Sequence, residues 1–294
     1  MVAPLMRQVA PVWTEEEGVL YPALVISDVL RAADITHVSN EVPFAQGCPY
    51  PDPNYGMLRF CSNELYMTLL DYIGTDIVEL TGNHFADYGP NAMFETLEIY
   101  NANNIPYFGG GRDLQDSLKP ALFEVNGSKI AFIGCNKPDV GRFPTATDYQ
   151  PGAAPCDFPY LQQKIAELKS QGYVVISTFQ WNESYDYRPS PQQRDDFRLM
   201  AESGAAIVSG SQAHQPQAIE FFEGGFIHYG LGNLFFDQYH MGLPTGQVAV
   251  VVILVDCQDG WGGIHHGPAL LARVVNHPVV PAGAPNGKIG HLGK

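Results

Sequence analysis

The stretch DIVELTGNHFADYG, residues 76–89, runs from an apolar segment straight into an Asn-His pair. Its first half is an apolar run that predicts a short strand, and Gly82 marks the end of that strand. Asn83, His84 and Asp87 follow within a few residues. Three polar groups at the exit of a strand indicate a site, provided that other parts of the chain supply partners for them.

Helical and strand patterns alternate on both sides of this stretch, which is typical of an α/β protein. The pair Asn126-Gly127 favours the tight turn of a two-residue β-hairpin. Apolar spacing and Pro positions predict helices over residues 21–33, 63–73, 90–101, 158–170 and 191–203, and strands over 35–38, 76–81, 105–108, 121–134, 173–179, 206–208, 225–229 and 247–256.

Polar residues collect at the ends of four predicted strands. In open α/β sheets, ligands bind beyond the carboxyl ends of the strands, so we expect these clusters to converge. Connecting loops favour polar residues in any case, and one such cluster alone would mean little. The four clusters are Asn40-Glu41, Asn83-His84 with Asp87, Gln180-Trp181-Asn182-Glu183, and Ser211-Gln212-Ala213-His214.

The amino-acid composition and the net charge exclude some classes of function. The chain has 294 residues, 45% of them hydrophobic, which suffices for a large core. Its 31 acidic and 16 basic residues give a formal net charge of −15, and such a surface repels phosphate backbones, so we expect no nucleic-acid partner. The sequence has no apolar run of the roughly 20 residues that a membrane span needs, and no signal-peptide pattern at its start. We therefore expect a chain that is cytoplasmic if expressed as given, with the export signal absent if the parent protein is exported.

The five cysteines allow two interpretations. Cys48 and Cys61 bracket one Pro-rich loop, and Cys135 and Cys156 bracket another. Two loop-closing disulfides would indicate an oxidising compartment, whereas unpaired thiols would indicate a cytosolic protein.

Several motifs together resemble a known family. The segment Asn83-His84 with Asp87-Tyr88-Gly89 is similar to the NHxxDxG motif of the CapA-type capsule, or poly-γ-glutamate, synthesis proteins, which are relatives of the calcineurin-like metallophosphoesterases. The resemblance covers roughly residues 21–255. It continues through residues 105–111, 119–121, 183–185, 189–194, 210–217 and 229–238.

The resemblance implies a four-layer α/β/β/α sandwich with its site at the carboxyl ends of the strands. It also implies a role in capsule or poly-γ-glutamate biology, with the parent protein extracellular or at the cell surface. On this basis we expect an N-terminal extension over residues 1–20, a CapA-like domain over 21–277 and a disordered tail over 278–294.

This sequence departs from the family pattern at positions that bind metal in the phosphoesterase relatives. No early strand ends in Gly-Asp, so either the first strand of the fold is missing or the site has drifted from metal binding. The family's His-Trp-Gly segment is Gln180-Trp181-Asn182 here, and its His-rich segment retains only His214. We therefore expect a depleted metal site and either no cofactor or one divalent Mn or Mg ion. Glu41, Asn83 and His214 are the candidate metal ligands.

A metal-free site can use the same residues. Glu41 is the candidate base or nucleophile, His84 its acid-base partner oriented by Asp87, and His214 a second acid-base group. Asn83, Gln180, Glu183 and Gln212 are candidates for binding a polar substrate, with Trp181 and Tyr185 as stacking faces. Such a site would hydrolyse a glycosidic, ester, phosphoester or amide bond of a small molecule, a polysaccharide or polyglutamate.

Other interpretations remain open. Asp87 would have only a structural role if it caps the helix that begins near Pro90. Asn233 and Asp237 fit a loop-holding role better than a chemical one. The whole chain would also serve as a non-catalytic accessory or binding module in capsule synthesis.

Overall fold

The computed structural model describes residues 15–49, 59–137 and 145–235, and the backbone of two further strands, 247–256 and 269–278. The α-helices are α1 (Glu15–Leu20), α2 (Ser27–Arg31), α3 (Met67–Tyr72), α4 (Gly89–Ala102), α5 (Leu114–Ser117), α6 (Phe158–Ser170) and α7 (Pro191–Glu202). The strands are β1 (His37–Ser39), β2 (Ile77–Glu79), β3 (Tyr107–Phe108), β4 (Gly110–Gly111), β5 (Ala121–Val125), β6 (Ser128–Asn136), β7 (Gly152–Ala153), β8 (Tyr173–Ser184), β9 (Ile207–Ala213), β10 (Ile219–Phe222), β11 (Gly225–His228), β12 (Gln247–Asp256) and β13 (Ala269–Pro278).

The small sheet contains the stretch quoted first. Within the described residues it has the order β1-β2-β3, with all neighbours parallel. Side chains alternate between the faces of a strand. Val78 accordingly packs with Leu70 and Leu97 of helices α3 and α4, whereas Ile77 faces the other sheet with Phe108 and Phe132.

The large sheet has the order β10-β11-β9-β8-β6-β5 within the described residues. Strands β6, β8, β9 and β11 are parallel, and β5 forms a hairpin with β6. The hairpin turn is the predicted one, since Asn126 and Gly127 have φ values of 50° and 78°. Helices α6 and α7 cover the outer face, where Leu161 and Met200 pack against Val175.

These packing clusters define four layers: helices, the small sheet, the large sheet and helices. The predicted α/β/β/α sandwich is therefore confirmed. One helix prediction is wrong, because residues 21–33 form a 3₁₀ turn (Tyr21–Ala23) and the short helix α2. Leu24 and Val25, between the two, are exposed, so the apolar spacing that suggested one long helix does not give a continuous buried face.

Helix α1 packs against the folded body. Its Val19 is buried with Leu69 and Ile73, although the sequence placed residues 1–20 in an N-terminal extension. None of the helices in the described residues has the length and apolar character that a membrane span requires. The tail predicted from residue 278 lies almost wholly outside the described residues.

Both predicted disulfides are present. Cys48–Cys61 and Cys135–Cys156 join residues whose Cα atoms lie 5.9 and 5.0 Å apart. The interpretation with unpaired thiols is therefore wrong for these four cysteines. Cys257 lies outside the described residues.

His228 makes stability depend on pH. Its side chain is 2% exposed, and burial lowers the pKa of His228 from 6.5 to about 4. The unfolded chain takes up this proton below pH 6.5 and the folded chain does not, so stability is full above pH 6.5 and falls towards pH 4. The loss from this group is about 3 kcal/mol.

We expect His228→Phe to flatten this part of the pH profile. Urea unfolding of both proteins at pH 7.0 and pH 4.5 measures the difference. An identical fall in the free energy of unfolding for both would contradict the assignment to His228.

Candidate functional site

The carboxyl ends of strands from both sheets meet at one edge of the sandwich. Glu41 follows β1, Asn83 follows β2, and Gln180 and Gln212 lie in the last parts of β8 and β9. The loops that follow β1 and β2 approach closely here, because a Cβ atom on Gly82 would lie 2.5 Å from Cα of Glu41. Only glycine permits this contact between the loops that carry Glu41 and Asn83.

Gln180 contacts the other three of these residues. Its Nε2 lies within hydrogen-bonding distance of Glu41 Oε1 and Asn83 Oδ1, both at 3.1 Å, and of Gln212 Oε1. Its own Oε1 accepts a hydrogen bond of 2.7 Å from Ser211 Oγ. Four of the predicted site residues are therefore linked by direct contacts, and the hydrogen-bonded partners Glu41 and Gln180 are 139 positions apart in sequence.

Gln212 reaches Gln180 through an unusual backbone conformation. Its φ of 76° lies in the left-handed region, which side chains with a Cβ atom rarely adopt. Such strain is concentrated at functional sites, where the surrounding structure holds it in place.

His84 and Asp87 form a second pair at the same edge. His84 Nδ1 lies 2.6 Å from Asp87 Oδ2, and the imidazole is 8% exposed. Asp87 Oδ2 also accepts from the backbone N–H of Phe60 at 2.8 Å. Helix α4 begins at Gly89 after Tyr88, with no side-chain cap. The interpretation of Asp87 as a helix cap is therefore wrong, and its carboxylate instead orients an imidazole.

A strap formed by residues 59–61 holds this pair. Arg59 donates to the backbone oxygen of Asp87, and the Phe60 ring meets the His84 ring edge to face at 4.5 Å. Cys61 ties the strap to Cys48 through the disulfide. Sequence reasoning missed Arg59 and Phe60, and the only signal for them was the cysteine pair that brackets this loop.

We expect the double variant Cys48→Ser/Cys61→Ser to loosen the strap. The free energy of unfolding should fall by about 3 kcal/mol, and the rate at which diethyl pyrocarbonate modifies His84 should rise several-fold. Mass spectrometry of the modified protein measures that rate. The matched control, Cys135→Ser/Cys156→Ser, should lose similar stability with His84 still protected. Equal rates in the two variants would argue against a role for the strap.

His214 belongs to a more exposed group of side chains. Its Nε2 lies 3.3 Å from Glu183 Oε1, and its Nδ1 lies 3.1 Å from Asn233 Oδ1. Tyr185 stacks on the imidazole with ring centroids 4.8 Å apart and donates to Glu183 Oε1 at 2.6 Å. Asn233, expected only to hold a loop, thus contacts a candidate catalytic residue, whereas Asp237 lies outside the described residues.

Trp181 does not have the predicted role. Its side chain is 4% exposed and packs against Phe179 and Phe197 in the core of the large sheet. The Lys137 ammonium lies 3.7 Å from the indole centroid and forms an ion pair with Asp196. A stacking face for substrate is therefore left to Tyr185.

The donor atoms present do not fit a binuclear metal centre. Such a centre needs several carboxylate and imidazole ligands around two ions about 3.5–4 Å apart. No group of three or more His, Cys, Asp and Glu residues with metal-binding geometry occurs among the described residues. Glu41, Asn83 and Gln212 do place three oxygens around one point, but the amide nitrogen of Gln180 lies at that point.

The architecture and the site together define an α/β/β/α sandwich with paired His and carboxylate groups at the carboxyl ends of its strands. Residues 5–238 match the profile of the family described as bacterial capsule synthesis protein PGA_cap. The chain belongs to this family.

Two Bacillus relatives are both named CapA. The chain is 29% identical over 229 residues to the PGA biosynthesis protein CapA of Bacillus subtilis, an alignment that covers 76% of this chain and 59% of that protein. It is 31% identical over 204 residues to the capsule biosynthesis protein CapA of Bacillus anthracis, with 64% and 49% covered. The chain thus spans about half to three-fifths of the length of these relatives.

More distant similarities are weaker. A probable polyglutamine synthesis accessory protein of Mycobacterium tuberculosis is 23% identical over 56% of this chain and 46% of its own. Among solved structures, a putative 5'-nucleotidase from Staphylococcus aureus aligns with a TM-score of 0.48 and 14% identity, covering 75% of this chain and 42% of its own.

Proposed function

We propose that this chain is a hydrolase of capsule or poly-γ-glutamate metabolism that acts on a polar, polymer-derived substrate. The observation that carries the proposal is the His84–Asp87 pair, with 2.6 Å between Nδ1 and Oδ2, beside the edge where Glu41 is held. A carboxylate that accepts from one ring nitrogen fixes the tautomer and increases the basicity of the other.

The pair assigns a role to each nitrogen of His84. With the Nδ1 proton donated to Asp87, Nε2 takes a proton from an attacking water and returns it to the leaving group. Glu41 acts as the second carboxylate of the reaction, either as nucleophile or as base. Its position is supported by the hydrogen bond from Gln180.

The remaining polar groups suit a neutral part of the substrate. Asn83 and Gln212 offer amide groups to hydroxyl or amide atoms. Tyr185, which is 41% exposed, offers a ring face beside His214 and Glu183. A polymer amide bond is one such neutral group, and glycosidic and ester bonds are the others that fit this site.

The proposed location of the parent protein is the cell surface or the extracellular space. Two disulfides in the described residues support this, since such bonds persist in oxidising compartments.

The test is a substrate panel. The protein is incubated with poly-γ-glutamate and γ-glutamyl peptides, chromogenic glycosides, carboxylic esters and phosphoesters, with EDTA or with added Mn²⁺. Turnover that disappears in Glu41→Ala and His84→Ala supports the proposal. Absence of turnover on the whole panel contradicts it, provided that circular dichroism confirms a folded protein.

A non-catalytic accessory role in the same system is the second candidate. The observation that favours it is the mutual pairing of Glu41, Asn83, Gln180 and Gln212, which engages these groups with one another. Retained binding of the polymer without turnover, measured by calorimetry, would favour this role over hydrolysis.

A further inference from the structure

One nitrogen atom, Nε2 of Gln180, lies where three side-chain oxygens meet. Glu41 Oε1 and Asn83 Oδ1 are each 3.1 Å away, and Gln212 Oε1 is closer. A primary amide has two hydrogens, so three acceptors exceed what this nitrogen can satisfy. Oxygens from separate loops around one point, one of them a carboxylate, form the type of cage that proteins build for hard cations.

The orientation of the Gln180 amide is determined by its neighbours. The side chain is 2% exposed, and Oε1 accepts from Ser211 Oγ at 2.7 Å. In the opposite orientation Oε1 would face the Glu41 carboxylate with no proton between them, which is repulsive without a cation. The nitrogen therefore points into the cage because it is the only positively polarised group that this side chain can place there.

We propose that the amide group of Gln180 takes the place of a hard divalent cation in the cage formed by Glu41, Asn83 and Gln212. Gln180 is then the residue that decides whether a cation binds at this point. With glutamine at position 180, the amide nitrogen occupies the centre of the cage, and the protein does not need an ion there. This inference rests on the geometry of the cage alone and is independent of the proposed hydrolase.

Gln180→Glu tests the proposal without an activity assay. A carboxylate at this position faces Glu41 directly, and only a cation relieves the repulsion between them. In EDTA we expect the Tm of the variant to fall by about 5 °C or more, and millimolar CaCl₂ or MgCl₂ to restore it. The Tm of the unaltered protein should be the same in EDTA and in CaCl₂.

Two control variants distinguish cation binding in the cage from a general effect of charge on the Tm. Gln163→Glu adds the same charge on the exposed face of helix α6 and should show no response to CaCl₂. Glu41→Gln combined with Gln180→Glu restores a single carboxylate in the cage and should weaken the response. Isothermal titration calorimetry with CaCl₂ measures the affinity of each variant.

Two results would overturn the proposal. The first is tight binding of Ca²⁺, Mg²⁺ or Mn²⁺ by the unaltered protein at this cage, abolished by Glu41→Gln. The second is a Gln180→Glu protein whose Tm is insensitive to all three cations. Should Gln180→Glu fail to fold even with CaCl₂ present, Gln180→Ala replaces it, because it opens the cage without adding charge. Stabilisation of Gln180→Ala by CaCl₂ then supports the proposal, and its absence refutes it.

Discussion

Replacement of Gly210 by alanine should cost the protein more than about 4 kcal/mol of folding free energy, which is enough to prevent it from accumulating in folded form. A Cβ atom at this position would lie 2.0 Å from the backbone oxygen of Tyr229 and 3.0 Å from the ring of Phe197. The Tyr229 oxygen also accepts from Gln193 Nε2 at 2.8 Å, so neither side of the contact moves freely.

Gly18→Ala is the matched control for this substitution. Gly18 lies in helix α1, and no heavy atom of the described residues comes within 4 Å of a Cβ atom placed there. Alanine favours a helix over glycine, so we expect a gain of about 0.5–1 kcal/mol. Thermal unfolding followed by circular dichroism compares the two variants. A folded Gly210→Ala protein with Tm within about 2 °C of the unaltered one would contradict the contact.

The second prediction with a large effect concerns catalytic turnover of the substrate that the panel of test compounds identifies. His84→Ala should reduce kcat by about 10²–10⁴-fold, the usual contribution of a general acid-base group. Asp87→Asn keeps the size of the side chain and removes the charge that orients the imidazole, so we expect a smaller loss of about 10–100-fold.

The separate effects on kcat and KM distinguish orientation from simple structural damage. In Asp87→Asn, we expect kcat to fall with KM little changed, because the imidazole loses the partner that orients it while the groups that bind substrate stay in place. Tyr72→Phe, a change in helix α3 on a side chain that packs against the cluster of Val19, Leu69 and Ile73, serves as the control and should leave both kcat and KM unchanged. A large rise in KM together with the fall in kcat would assign Asp87 a structural role only.

Much of the fold followed from local patterns. The apolar run at residues 76–81 predicted strand β2, in which Ile77 lies between the sheets and Val78 against the helices. The pair Asn126-Gly127 predicted the hairpin turn, since both residues tolerate positive φ. The failure over residues 21–33 has the same origin, because spacing alone does not reveal whether a face has anything to pack against.

The candidate site was only partly predictable. Its residues were identified because each follows or ends a strand, and the order of the strands brings Glu41, Asn83, Gln180 and Gln212 to one edge. Trp181 was misjudged, because its place in the same cluster says nothing about which face of β8 it occupies. Phe60 was missed and Asn233 was given only a loop-holding role, because the roles of both depend on loops that approach His84 and His214 from elsewhere in the chain.

By itself, the sequence determined the alternating elements, the two cysteine pairs that could bracket a Pro-rich loop, and the chemical types of side chain at the strand ends. These features depend on neighbours in the chain and on the periods of helix and strand. Only the tertiary structure decided which of those side chains face one another. The amide of Gln180 lies between oxygens from loops up to 139 residues away, and Gln212 adopts a left-handed backbone that its own preferences oppose. Both result from the packing of two sheets, whose combined burial outweighs the local cost.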